Sequence, residues 1–70
     1  MKTNDQLMKM YKANETQIEV AFENTMMLMH DKYGFDTVTP EFFYSTENDA
    51  EVSELVEASL EAIVSDGFYA

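Results

Sequence analysis

The sequence has no cysteine, no arginine and no tryptophan, and only one proline, two glycines and one histidine in 70 residues. Without cysteine, disulfides, thiolate zinc sites and cysteine nucleophiles are excluded, so the usual staples of a small fold are missing. Bases are scarce too: four lysines stand against fourteen Asp and Glu, a net charge of −10 with the histidine neutral. Lys and Arg supply the affinity for nucleic acid and for anionic membranes, so direct binding to either is not expected. The longest apolar run that could count toward a membrane span, Met26-Met27-Leu28-Met29, is four residues. Met1-Lys2-Thr3-Asn4-Asp5 lacks the apolar centre of a signal peptide. The expected location is cytoplasmic, meaning the host cytoplasm if the protein is viral.

Hydrophobic residues make up 46% and aromatics 13%, too rich for a disordered acidic tail. Seventy residues allow a single domain, 1–70. A domain of this size buries only about 60% of its unfolded surface, so a partner or a second copy is the remaining source of stability. The charge is uneven. Residues 1–35 carry four Lys and five acids, whereas residues 36–70 carry nine acids and no base.

The periodicity predicts an all-α fold, a helical hairpin or three-helix domain. Leu7, Met8, Tyr11, Ile18, Phe22, Met26, Met29 and Tyr33 recur at helical intervals and define one long N-terminal helix. Thr3 with Gln6 is a capping-box signature at its start, with Asn4 as an alternative cap. Gly34 is expected to end it as a left-handed cap. Asn14 with Gln17 is a second capping signature, which leaves a break near residue 14 open. Unbroken, this helix would span about 45 Å. Thr39-Pro40-Glu41 then reads as the start of a short aromatic connector helix, Pro40–Tyr44. A β-hairpin from 35–39 and 41–46 is its rival, since both pieces are aromatic and β-branched. Asn48 with Glu51 predicts a capping box for an acidic C-terminal helix of about 26 Å. Val52, Leu55, Val56, Leu60 and Ile63 are its apolar stripe, and Gly67 with Phe68 its Schellman end.

Most catalytic and metal motifs fail. A calcium loop starting at Asp31 would place Tyr33, Phe35 and Asp36 where oxygen ligands and glycine are required. His30 has no second His or Cys to share a zinc ion, and it reads as a histidine favoured by a helix C-terminus. Ser45, Ser53, Ser59 and Ser65 lack a positioned base, and no glycine-rich phosphate loop exists. No enzyme, cofactor or metal site is expected. In size and acidity the chain resembles acyl carrier proteins, whose prosthetic group sits on the Ser of an Asp-Ser-Leu motif at a helix start. The nearest segment here, Ala58-Ser59-Leu60, lies in mid-helix without the Asp, and the likeness stops there.

Two features carry a functional reading. Glu15, Glu19 and Glu23 are four apart, and Glu54, Glu57 and Glu61 are three and four apart, with Glu51 on the same side. Like charges at these spacings destabilise a helix by a few tenths of a kcal/mol per pair. No lysine in the last helix relieves them. Glu54, Glu57 and Glu61 are expected opposite the apolar stripe, and crowding is expected to raise the pKa of the glutamates so that mild acid stabilises the fold. Ridges with about 6 Å steps can meet the Lys and Arg of a basic protein in place of phosphates. In composition and size the chain resembles small acidic bacteriophage inhibitors that imitate DNA. That resemblance implies a protein-binding inhibitor or regulator of a basic site on a nucleic-acid-binding enzyme.

The second feature is the turn Met26, Met27, Leu28 and Met29, which is apolar all the way round, whereas a surface helix of a monomer needs only one apolar face. A 26 Å helix also cannot cover a 45 Å one. A second copy or a target must cover the rest, which predicts a homodimer or higher oligomer. A homodimeric helical scaffold without mimicry is the alternative function. Against both stands the option that Phe42, Phe43 and Tyr44 fold over the methionines and finish the core.

Overall fold

Thr3 and Asn14 each open a helix, where periodicity alone suggested one. In the computed structural model, which describes residues 1–70, the first helix, α1, runs Asn4–Tyr11 and the second, α2, runs Glu15–Tyr33. Both start with complete capping boxes. The Gln6 backbone N–H donates to Thr3 Oγ1 at 3.2 Å, and the Gln17 backbone N–H to Asn14 Oδ1 at 2.8 Å. Between them Lys12 takes the left-handed conformation (φ 54°, ψ 42°), and the Ala13 N–H returns to the Met8 carbonyl at 3.0 Å. The expected 45 Å helix is therefore corrected to two shorter ones. The physical reason is coverage: at the standard rise α2 spans about 28 Å, and the turn folds Leu7 back into the core, where it is 1% exposed.

The connector is helical, and no strand forms. Helix α3 covers Pro40–Phe43, with Thr39 Oγ1 accepting from the Phe42 N–H at 3.2 Å and proline at the first position. It stops one residue short of the expected end, since Tyr44 (φ −96°, ψ 7°) has left the helix. A 3-10 turn, Thr46–Asn48, leads directly into the last helix, α4, Asp49–Asp66. That entry removes the expected Asn48–Glu51 capping box. Asn48 sits at φ −102°, ψ 0°, and its amide donates backwards to the Phe42 carbonyl at 2.9 Å and to Ser45 Oγ at 3.0 Å. Gly34 departs from expectation as well: it has positive φ (90°) but ψ 148°, outside the left-handed helical region. From there its carbonyl accepts the Thr37 and Val38 N–H groups, which turns the chain toward the connector. The other end behaves as the sequence predicts. Gly67 is left-handed, and the Phe68 N–H reaches the Ile63 carbonyl at 3.0 Å.

Helices α2 and α4 pack antiparallel, as the pairs Gln17–Phe68, Asn24–Ser59 and Lys32–Glu51 show. Eighteen residues give α4 about 27 Å, so the two helices match in length. The length mismatch that called for a second copy is gone. The core holds Leu7, Ile18, Ala21, Met29, Phe43, Val52, Val56, Leu60 and Ile63, with Ala13 and Val38 at its edge. Phe43 is 1% exposed and its ring lies 6.4 Å from that of Phe22. Thr25 is fully buried and satisfies its hydroxyl on the Ala21 carbonyl at 2.9 Å. No helix is long and apolar enough to cross a membrane.

Candidate functional site

The acidic ridge of α4 is split by its neighbours. Glu57 is half-buried: its carboxylate accepts from the Tyr11 hydroxyl at 2.7 Å and from Lys2 Nζ at 3.0 Å, tying α1 to α4. The Tyr11 hydroxyl, with Lys2 second, holds the Glu57 carboxyl below the usual range. In return Glu57 and burial push Tyr11 from 10.0 up to about 12. Glu51, also half-buried, accepts from Lys32 Nζ and from the Tyr33 hydroxyl, the latter at 2.7 Å, and these two partners lower its pKa. Neither residue belongs to a free acidic face, and Glu57 does not lie opposite the apolar stripe. The expected acid stabilisation is reversed for both, because partners favour the charged form. The sequence did contain the signal: Tyr11 and Tyr33 on the stripe of the N-terminal half carry hydroxyls that must find acceptors when packed.

Glu54 and Glu61 remain exposed on the solvent side of α4, and no lysine forms a salt bridge with either. Glu15, Glu19 and Glu23 are exposed on the flank of α2 that faces α1. There Glu15 and Glu19 line a hollow with Asp5, while Glu19 and Glu23 line another with Lys2 and Tyr44. The opposite flank of α2 meets α4. Glu54 and Glu61 line neither hollow, whereas Glu57 meets the α1 side through Lys2, and Asp5 is an acidic neighbour that the periodicity did not pick out. No group of acids and histidine is arranged to hold a metal ion.

The methionine turn also divides. Met29 is fully buried and Met26 packs half-buried against the core, so neither is free surface. Met27 and Leu28 point outward at 64% and 50% exposure. The connector completes the core through Phe43, with Phe42 half-buried against the Tyr33 ring at 5.4 Å, while Tyr44 stays 67% exposed. It covers the Met26 side and leaves Met27 and Leu28 bare.

Beside these two residues runs a furrow along the α2–α4 seam. One hollow of about 490 Å³ is lined by Met27, Leu28, Leu55 and Ala58, with Asn24, Ser59 and Asp31 at its edges. A second, of about 310 Å³, continues past the same Asn24 and Ser59 to Val20, Ala62 and Phe68 and ends at Asp66. The Asn24 amide donates to Ser59 Oγ across the seam at 3.3 Å. The far end is held in shape by Gln17 and Asn14, whose amides donate to the Phe68 and Tyr69 carbonyls at 2.9 and 2.8 Å. His30 plays no part in the furrow. Its Nε2 lies 3.3 Å from the Val38 carbonyl and its ring 4.6 Å from that of Phe35, a structural role that braces the connector.

Comparison with protein-family models, with curated proteins and with solved structures finds no match. What the surface offers chemically is therefore read from the surface alone: exposed carboxylates and an apolar furrow.

Proposed function

We propose that this chain is a small acidic protein-binding regulator that occupies a basic site on its target. The observation that carries the reading is on α4. With Glu51 and Glu57 bonded inside the domain, Glu54 and Glu61 stay exposed on a helix that contains no base. Such charges raise the on-rate and select basic partners more than they add contact energy. In its sharper form the reading is phosphate mimicry: the carboxylates stand where a nucleic-acid-binding protein expects phosphates, and the regulator is an inhibitor of the bacteriophage type. A homodimeric scaffold is the second reading, favoured by the exposure of Met27 and Leu28 and opposed by a charge of −10 on each copy.

The test is affinity capture from the native host's lysate at low and high salt, using the wild type and a Glu54→Lys, Glu61→Lys variant. Glu57 is left in place because it anchors α1. Capture of a nucleic-acid-binding protein that is lost at high salt and lost with the variant is the expected result. Capture that is indifferent to both sinks the acidic-face reading. Sedimentation of the free chain as a dimer, with unchanged mass in high salt, establishes the scaffold instead.

A further inference from the structure

We propose that the α2–α4 furrow is a docking groove for a cationic amphipathic helix of a partner protein. The proposal rests on the protein-binding reading above and narrows it to one segment type and one seam. Shape comes first. The furrow extends from Leu55 and Asp31 at one end to Asp66 and Phe68 at the other. Asp66 lies eleven positions after Leu55 on α4, about 16 Å at the helical rise, or three turns of an incoming helix. The floor is low because α4 presents the small residues Ala58 and Ala62 there, while Met27 and Leu28 of α2 stand up as an adaptable wall. A helix laid in such a groove buries side chains at i, i+3 or i+4 and i+7.

Charge decides the occupant. No lysine and no histidine lines either hollow. Asp31 stands at one end and Asp66 at the other, and on the surface of α4 Glu54 and Glu61 flank Ala58 at four residues before and three after. An apolar stripe bordered by Lys and Arg complements this layout at both ends and along one rim. A second copy of the chain does not, because it brings ten further negative charges to a groove without a cation.

The experiment is an NMR titration of the intact chain with two synthetic peptides of about 15 residues, a length at which helices begin to hold in water. Both carry the same leucine stripe; one has Lys on its polar face and the other Glu. The Lys peptide should bind saturably and shift Val20, Leu28, Ala58 and Ala62, while the Glu peptide should not. Leu28→Asn, at an exposed position, should weaken the Lys peptide about tenfold with the fold unchanged by circular dichroism. Glu54→Gln with Glu61→Gln should weaken it and flatten its salt dependence. Equal binding of the two peptides, or an unchanged Kd for Leu28→Asn, overturns the proposal. So does a concentration-dependent dimer that buries the furrow. Shifts confined to the α1–α2 flank overturn the groove and leave the acidic-binding reading standing. No binding of the Lys peptide even at low salt removes both.

Discussion

Helix α4 has two seams, and they differ in what crosses them. On the α1 side Tyr11 and Lys2 reach Glu57, the N-terminal amine reaches Asp49 at 2.9 Å, and Leu7 is driven into the core. On the α2 side Asn24 and Ser59 cross the middle of the seam at 3.3 Å, between the Gln17–Phe68 and Lys32–Glu51 bonds at its ends, and Met27 and Leu28 remain bare. Glu57 on the first seam and Glu51 at the end of the second are structural acceptors; Glu54 and Glu61 are exposed to solvent. The same residue type at the same helical spacing is thus a bonded acceptor in one place and an open carboxylate in another. What separates the cases is whether a donor stands opposite.

The comparison breaks most visibly in stability. Leu7→Ala should cost about 2–5 kcal/mol, the usual loss for a fully buried leucine, and in so small a domain α1 should detach or the whole chain unfold. Leu28→Ala, on the open seam, should stay within about 0.5 kcal/mol of the wild type. Urea denaturation of the two variants measures both. Similar losses would mean the outer seam is as closed as the inner one.

A smaller effect sharpens the contrast through pH. Glu57 and Glu51 have folded pKa values below the ordinary carboxylate range, so their contribution is present above that range and lost as pH falls through the lowered values. Tyr11 is raised from 10.0 to about 12, so its contribution is present below pH 10 and lost as pH climbs toward 12. The melting temperature should fall at both extremes, and Tyr11→Phe should lower the plateau between them while flattening both flanks. A melting temperature that rises steadily from pH 7 into the carboxylate range would contradict this.

The smallest change expected is a gain. Lys12 holds a left-handed conformation at φ 54° that costs an L residue roughly 1–2 kcal/mol. Lys12→Gly relieves that strain and gives back part of the gain through the freer unfolded chain, so a net stabilisation of about 1 kcal/mol is expected. The thermal midpoint should rise, and peptide binding at the α2–α4 furrow should not change. A lower midpoint would show that the Lys12 side chain contributes more than its backbone costs.

Local signals in the sequence were strong where the chemistry is local. The capping boxes at Thr3 and Asn14, the proline-led start of α3, the Schellman end at Gly67 and the stripe from Val52 to Ile63 all depend on residues within a few positions of one another. Helix identity and the all-α class follow from them. The unequal charge of the two halves is likewise a property of composition and survives any fold.

Three matters were decided only by tertiary packing. Whether Asn14 breaks the first helix depends on what α4 can cover, and the match of about 28 Å to 27 Å settles it in favour of the break. Asn48 abandons its predicted cap because the connector brings the Phe42 carbonyl within 2.9 Å of its amide. The fate of each glutamate turns on residues far away in sequence: Tyr11 lies 46 positions from Glu57 and Tyr33 lies 18 from Glu51. Spacing along a helix says which carboxylates share a face. It carries no information about which donors the fold sets opposite them, since that requires the chain to have already closed on itself.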